Sequence, residues 1–404
     1  MGNPSTIYPK SHLLTQEEQI EVKSNKSSLI IGVPKEHTFQ ENRVPLCPES
    51  VQLITEQGHQ VLIERGSGHL AGFRDNEYSE AGAEIVDDTS KIFQSSIIVK
   101  VSPPTLQEID LMSNSRTIIS ALHSTTQNAE YFKRMMQKKI TALSFELIKD
   151  NRGMFPILCS MSEITGYTVI QIAAEYLSRS DFGRGVILGS VSGITPSEVV
   201  IIGAGTVGEY AARAALGLGA VVKVFDNKLY KLRSIQSKLG ERIFTSIIHP
   251  KVLYKALKTT DVVIGALHRE LGRKQIIVPE YMVMDMKQGS IIIDASIDQG
   301  GCIETSMPTT HINPVFQFNG VTHYCVPNIP SRVPRTASFA LSNFLTPFLL
   351  DLSEHGSIEH FLSHEQGFRN GTYMFHGILT NKHIGTSFNF QYQDIELLMA
   401  AFIY

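Results

Sequence analysis

The sequence has few cysteines, little net charge and no long apolar run. Its four cysteines (Cys47, Cys159, Cys302, Cys325) are scattered over 404 residues, and none forms a C-x-x-C pair. That spacing excludes a zinc-ribbon site and a disulfide framework. Reduced thiols in a cytoplasmic protein are the expectation. The formal net charge is only −3 and no basic run stands out, so no electrostatic footprint for nucleic acid is expected. No apolar stretch approaches 18 uninterrupted residues, and a membrane span is not expected. The stretch Met1 to Lys10 lacks the apolar core of a signal peptide.

What is present reads as a globular α/β protein. Hydrophobic residues make up 42% and charged residues 19%, an ordinary balance, and the length predicts two domains. Residues 1–27 are polar and are expected to be an extension outside the fold. From residue 28 onward, short β-branched runs alternate with helical ones. Strands are expected at 29–36, 59–64, 83–86, 96–102, 117–122 and 141–148, with helices at 49–57, 78–83 and 129–137. Such alternation implies βαβ units with largely parallel sheets. A long helix over 163–177 leads to a second unit with strands at 199–202, 220–225, 261–266, 290–295 and 321–326, and a long apolar helix follows over 337–352. The tail is too short for a domain of its own and is expected to pack back on the first unit. The predicted fold is therefore two Rossmann-like domains with parallel sheets and a cleft between them. One is discontinuous (28–156 with 335–404) and would bind substrate and carry the catalysis; the other (157–334) would bind a dinucleotide.

The clearest signal lies at Val199–Gly208. A β-branched run ends at Gly203, and G-x-G-x-x-G follows with glycines at 203, 205 and 208, opening a helical run. In such a turn the first glycine permits the tight bend, the second admits a pyrophosphate to the backbone, and the third lets helix and strand pack closely. The helix N-terminus offers unpaired N–H groups to the phosphates. Asp226 ends the next strand, 23 positions after Gly203, close to the spacing of an acid that binds the ribose 2′-hydroxyl. A carboxylate there repels a 2′-phosphate, so NAD is expected rather than NADP.

Three residues are candidates for chemistry. Arg43 is suited to fork onto a small carboxylate, His123 at a strand end to act as general acid/base, and Asp298 to stand beside a nicotinamide. Each has a plainer reading. Arg43 follows Glu-Asn and fits a solvated loop. His123 is one of 14 histidines and fits a structural role. Asp298 precedes Gln-Gly-Gly and fits a turn.

Assembled, the residues resemble alanine dehydrogenase, in the family shared with the nucleotide-binding α subunit of proton-pumping transhydrogenase. The resemblance runs from about Ile30 to the end. It rests on Gly32–Glu36 with Asn42-Arg-Val44, Met161-Ser-Glu163, the Gly203 fingerprint, Ile297–Cys302, Tyr324–Pro330 and Val333-Pro-Arg-Thr336. It implies an active cleft between two domains, a homo-oligomer (usually a hexamer), and interconversion of L-alanine with pyruvate and ammonium using NAD. It also implies roles: Arg43 for the substrate carboxylate, His123 for acid/base steps, and Asp298 for catalysis beside the nicotinamide. Ser162, Thr206, Val207, Asp226, Lys231, Ala266, Leu267, Asn328 and Ile329 match cofactor-contacting positions, and Asn328 is also a candidate for substrate. One departure stands out. Where the family has Lys-Val-Lys-Glu-Pro, this chain has Lys100-Val-Ser-Pro-Pro104, so Ser102 replaces the lysine that meets the substrate. Lys100, two residues earlier and expected on the same strand face, is the candidate substitute. Two rival expectations remain: an oxidoreductase for another amino or keto acid, and a non-catalytic NAD(H)-binding, transhydrogenase-like subunit.

Overall fold

The computed structural model describes residues 28–122, 127–267 and 276–400. Among these, strands form two sheets. The first contains β1 (Ile30–Val33), β2 (Gln60–Glu64), β3 (Glu84–Val86), β4 (Ile97–Val99), β5 (Thr117–Ser120) and β6 (Thr141–Ser144). The second contains β7 (Glu198–Ile202), β8 (Val221–Phe225), β9 (Phe244–Ser246), β10 (Val262–Gly265), β11 (Ile291–Asp294), β12 (Val315–Phe318) and β13 (Val321–Tyr324). Two late strands, β14 (Thr372–Phe375) and β15 (Ile378–Leu379), return to the first sheet, where β14 runs antiparallel to β6. The sheet orders are β15-β14-β6-β5-β4-β1-β2-β3 and β12-β13-β11-β10-β7-β8-β9. In each, the strand order reverses between the first strand and the fourth, the doubly wound arrangement in which ligands bind beyond the strand carboxyl ends.

The central strands are apolar because helices cover both faces. Every residue of β10 and β11 is buried, as are Val199–Ile202 of β7. The helix Pro156–Ser178 starts with proline at its first turn, where the missing N–H is not needed. It is long and apolar enough to cross a membrane, with a mean hydropathy of 1.2 over its 18-residue window. Here its apolar side chains pack inside the protein instead: Val169, Ile170, Ile172 and Ala173 join the core of the second sheet. Gly166 lets it approach the helix Thr206–Gly217 closely, since a Cβ there would lie 2.7 Å from the Val207 carbonyl oxygen. The helix Pro334–Glu354 packs Leu341, Leu345, Phe348 and Leu349 into the core of the first sheet.

Several expected strands are shorter than the apolar runs that signalled them, among them the one at 29–36, which ends at Val33. The strand expected at 96–102 ends at Val99, and the one at 141–148 ends at Ser144 and tightens into a 3₁₀ turn, Phe145–Leu147. The N–H groups of Val101 and Ser102 turn to the Glu36 carboxylate. The helices Leu229–Leu239 and Pro250–Thr259, which flank β9, carry no sequence expectation above. Residues 1–27 lie outside the described residues.

Candidate active site

The crevice of the second sheet opens between β7 and β10, and glycine shapes it. Gly203 has φ 118°, and a Cβ on it would sit 2.3 Å from the Ala266 carbonyl oxygen. A Cβ on Gly208 would sit 1.9 Å from the Gly203 carbonyl oxygen. No other residue type fits either position. Gly205 differs: nothing lies within 4 Å of where its Cβ would be, and it caps the N-terminus of the helix Thr206–Gly217. That is open space over unpaired helical N–H groups, as a pyrophosphate requires. Asp226 follows β8; its Oδ2 accepts from the Ala204 N–H at 2.8 Å and its Oδ1 from the Lys228 N–H at 2.7 Å. A carboxylate has about four acceptor positions, so capacity remains for ribose hydroxyls. Ala266 and Leu267 follow β10, Asp298 lies in the 3₁₀ turn after β11, and Asn328 and Ile329 follow β13. Lys231 stands in the first turn of the helix Leu229–Leu239. The donors and the open cradle fit a dinucleotide.

The crevice of the first sheet opens between β1 and β4, and charge fills it. Arg43 is 9% exposed. Its Nε and Nη2 donate to the two Glu41 oxygens at 2.7 and 2.6 Å, and Nη1 meets the Met161 sulfur at 3.4 Å. Burial pushes Glu41 up, but the Arg43 guanidinium outweighs it and holds the carboxyl below its ordinary range. For Arg43 burial works downward and the Glu41 charge overcomes it, so the guanidinium stays charged. Glu41 takes the Nε side of the fork. The outer edge, shared by Nη1 and Nη2, has the fork geometry to which a carboxylate can bond.

Glu36, three residues past β1, reaches across to the chain beyond β4. Its Oε1 accepts from the N–H groups of Val101 at 2.5 Å and Ser102 at 3.3 Å. Its Oε2 is buried without a hydrogen-bond partner and lies 3.6 Å from Lys100 Nζ. Burial raises the carboxyl from an ordinary 4.5 to about 7; Lys100 opposes this, while Glu41 and Glu108 add to it. Lys100, the candidate substitute for the family lysine, is enclosed in the structure. It has zero exposure, and its ammonium donates to both Glu108 oxygens, at 3.0 and 2.9 Å. Glu108 is held by the capping box of the helix Leu106–Leu111, with Thr105 as N-cap. Ser102 is buried beside this cluster.

Asn328 joins the two crevices. Its side-chain amide donates to Glu41 Oε2 at 3.0 Å, and its backbone N–H faces the Asp298 oxygens at 3.2 and 3.3 Å. It adopts left-handed φ of 53°, which asparagine tolerates better than most residues. Arg43, Glu41, Asn328 and Asp298 thus form one continuous polar chain. Ser162 sits next to Met161 on the helix Pro156–Ser178, so this helix touches Arg43 near its start and the glycine-turn helix further along. Ser331 closes the joint by donating to the Gln40 carbonyl and accepting from the Asn42 N–H. His123 lies outside the described residues. The sequence reading missed Glu36, Glu41 and Glu108. Glu36 ends the quoted Gly32–Glu36 motif without a role being read from it, Glu41 stands beside Asn42-Arg-Val44, and Thr105-x-x-Glu108 is itself a legible capping signature.

Comparison with known proteins agrees with this geometry. The family model described as "Alanine dehydrogenase/PNT, N-terminal domain" matches residues 32–165, and the corresponding C-terminal domain matches 169–382. An alanine dehydrogenase of Staphylococcus epidermidis is 36% identical over 368 residues, covering 91% of this chain and 98% of that protein. A solved L-alanine dehydrogenase superposes with a TM-score of 0.83 at 36% identity, covering 89% of this chain and 99% of the other. A transhydrogenase from Sinorhizobium meliloti shares the fold at 23% identity with a TM-score of 0.75, covering 88% and 99%.

Proposed function

Because the chain belongs to the alanine dehydrogenase/PNT family, we propose that it is an NAD-dependent alanine dehydrogenase, interconverting L-alanine and NAD with pyruvate, ammonium and NADH. The observation that carries this reading is the polar chain from Arg43 through Glu41 and Asn328 to Asp298, which ties a carboxylate-binding edge to a dinucleotide crevice.

The cofactor, when bound, accepts or donates the hydride. Its pyrophosphate would lie over Gly205 at the helix N-terminus. Gly203 and Gly208 shape the turn, and Asp226 would take the ribose hydroxyls and disfavour a 2′-phosphate. Ser162, Thr206, Val207, Lys231, Ala266, Leu267, Asn328 and Ile329 would line the rest. On the substrate side, the outer edge of Arg43 grips the carboxylate of the amino or keto acid. Glu41 fixes the plane of the guanidinium, and Asn328 fixes Glu41. Asp298 would orient polar groups beside the nicotinamide, and His123 is assigned the acid/base steps. Lys100 is assigned a structural role, because its ammonium is spent on Glu108. We further propose that residues 28–156 with 335–404 form the substrate domain and 157–334 the cofactor domain, in a cytoplasmic homo-oligomer.

The direct test is NADH consumption with pyruvate and ammonium; NADH binding without turnover would refute the reading. Ser102 and the occupied Lys100 favour one variant of it, in which a different keto acid is the better substrate. A panel of keto acids with ammonium separates the two by kcat/KM.

A further inference from the structure

Glu36 is a buried acid that nothing in the proposed reaction yet uses. It stands where the first sheet's strand order reverses, on the carboxyl side of β1 and β4, the crevice in which doubly wound sheets bind their ligands. Its side chain is only 5% exposed. Oε1 is fixed by two backbone N–H groups, so the carboxyl cannot swing away, and Oε2 is left without a hydrogen-bond partner. A buried polar atom of this kind is costly unless something completes it. The charges around it are arranged unevenly. Lys100 is neutralised by Glu108 on the helix Leu106–Leu111, and Arg43 by Glu41 on the loop after β1. Glu36 is therefore a third carboxyl facing two cations that already have carboxylate partners.

We propose that Glu36, in its carboxylic-acid form, donates a hydrogen bond from the otherwise unpartnered Oε2 to the carbonyl oxygen of the keto acid whose carboxylate lies on Arg43. This rests on the function proposed above and extends it. The donor polarises the carbonyl toward attack by ammonia, and no proton is transferred. Ionised, the same carboxyl offers no donor and repels the anionic substrate. Its value of about 7, set by burial against the pull of Lys100 and with the push of Glu41 and Glu108, places that change in the working range.

The test uses the full-length protein with NADH bound and reads pyruvate binding, from NADH fluorescence, between pH 6 and 8.5. Wild-type affinity should fall as pH rises through about 7. Glu36→Gln, neutral and still a donor, should lose that dependence and keep its low-pH affinity at high pH. Glu36→Ala should bind pyruvate weakly throughout and lower kcat/KM by about 10²-fold, the usual effect of removing one preorganised donor. A second readout needs no substrate. The folded-state value lies above the unfolded one, so the folded protein holds an extra proton between them, and stability is lost as pH rises through about 7. The Tm of wild type should fall relative to Glu36→Gln over that window. Two results would overturn the proposal: the same pH dependence of binding in both proteins, or a Tm difference that does not change with pH. A wild type that binds NADH but no pyruvate at any pH would instead refute the function proposed above, and this inference with it.

Discussion

The two crevices share a strand order, β3-β2-β1-β4-β5-β6 in one sheet and β9-β8-β7-β10-β11-β13 in the other, and both open where that order reverses. They differ in what fills them. Around Gly203 the walls are backbone, and the decisive features are missing side chains: a Cβ would strike a carbonyl oxygen at Gly203 and Gly208, and would meet nothing at Gly205. Around Arg43 the walls are side chains, with Glu36, Glu41, Arg43, Lys100 and Glu108 buried or nearly so. One topology thus yields a backbone-walled crevice, which fits the proposed dinucleotide, and a charged socket, which fits the proposed small acid. Helix N–H groups suffice where phosphates bring their own charge; a small carboxylate needs a fixed cation.

That contrast can be broken at either end. The largest effect is expected at Arg43→Ala, which removes the carboxylate grip and leaves Glu41 buried without its cation, held by Asn328 and the backbone N–H of position 43. Losing one partner of a buried pair costs about 3–5 kcal/mol of stability; losing the charged contact to substrate, at about 4 kcal/mol, should separately lower kcat/KM by about 10³-fold. NADH affinity should stay within a few-fold, because the glycine crevice is untouched. A parallel loss of NADH binding, by titration, would show that the crevices are not separate devices.

Lys100→Met should act on the fold more than on the chemistry. It leaves Glu108 buried without its cation, and urea unfolding should register a loss of about 3 kcal/mol. Turnover of the folded fraction should change less than about tenfold, a factor worth only 1.4 kcal/mol. Intact stability with turnover lost by orders of magnitude would make Lys100 a substrate contact after all.

Gly205→Val sharpens the other side with the smallest effect. Its φ of −82° suits any residue and the space is open, so Tm should stay within a few degrees. NADH affinity should fall by about tenfold, since the new methyl groups occupy the pyrophosphate path. An unchanged affinity would place the cofactor elsewhere.

The glycine crevice was legible in the sequence because its constraints are local: three glycines within six residues, a strand before, a helix after, and Asp226 at the next strand end. Arg43 was legible as a residue but not as a geometry, since its plane is set by Glu41 and Met161, and Glu41 is itself held by Asn328 from the far side of the chain. Lys100 shows the opposite case. Its apolar run 96–102 predicted a strand face shared with Ser102, yet β4 ends at Val99 and the ammonium turns to a helix cap eight residues on. A charged partner brought in by tertiary packing leaves no periodic trace. The tail was readable only as a return to the first unit; its antiparallel pairing with β6 depends on a sheet edge that sequence does not display.

The most direct test of the two-crevice account is a crystal structure with NADH and pyruvate bound. The account predicts the pyrophosphate over Gly205, the nicotinamide beside Asp298, and the pyruvate carboxylate on the Nη1–Nη2 edge of Arg43 with Glu41 still in place. Pyruvate seated away from Arg43, or a Glu41 that must leave before it binds, would contradict it.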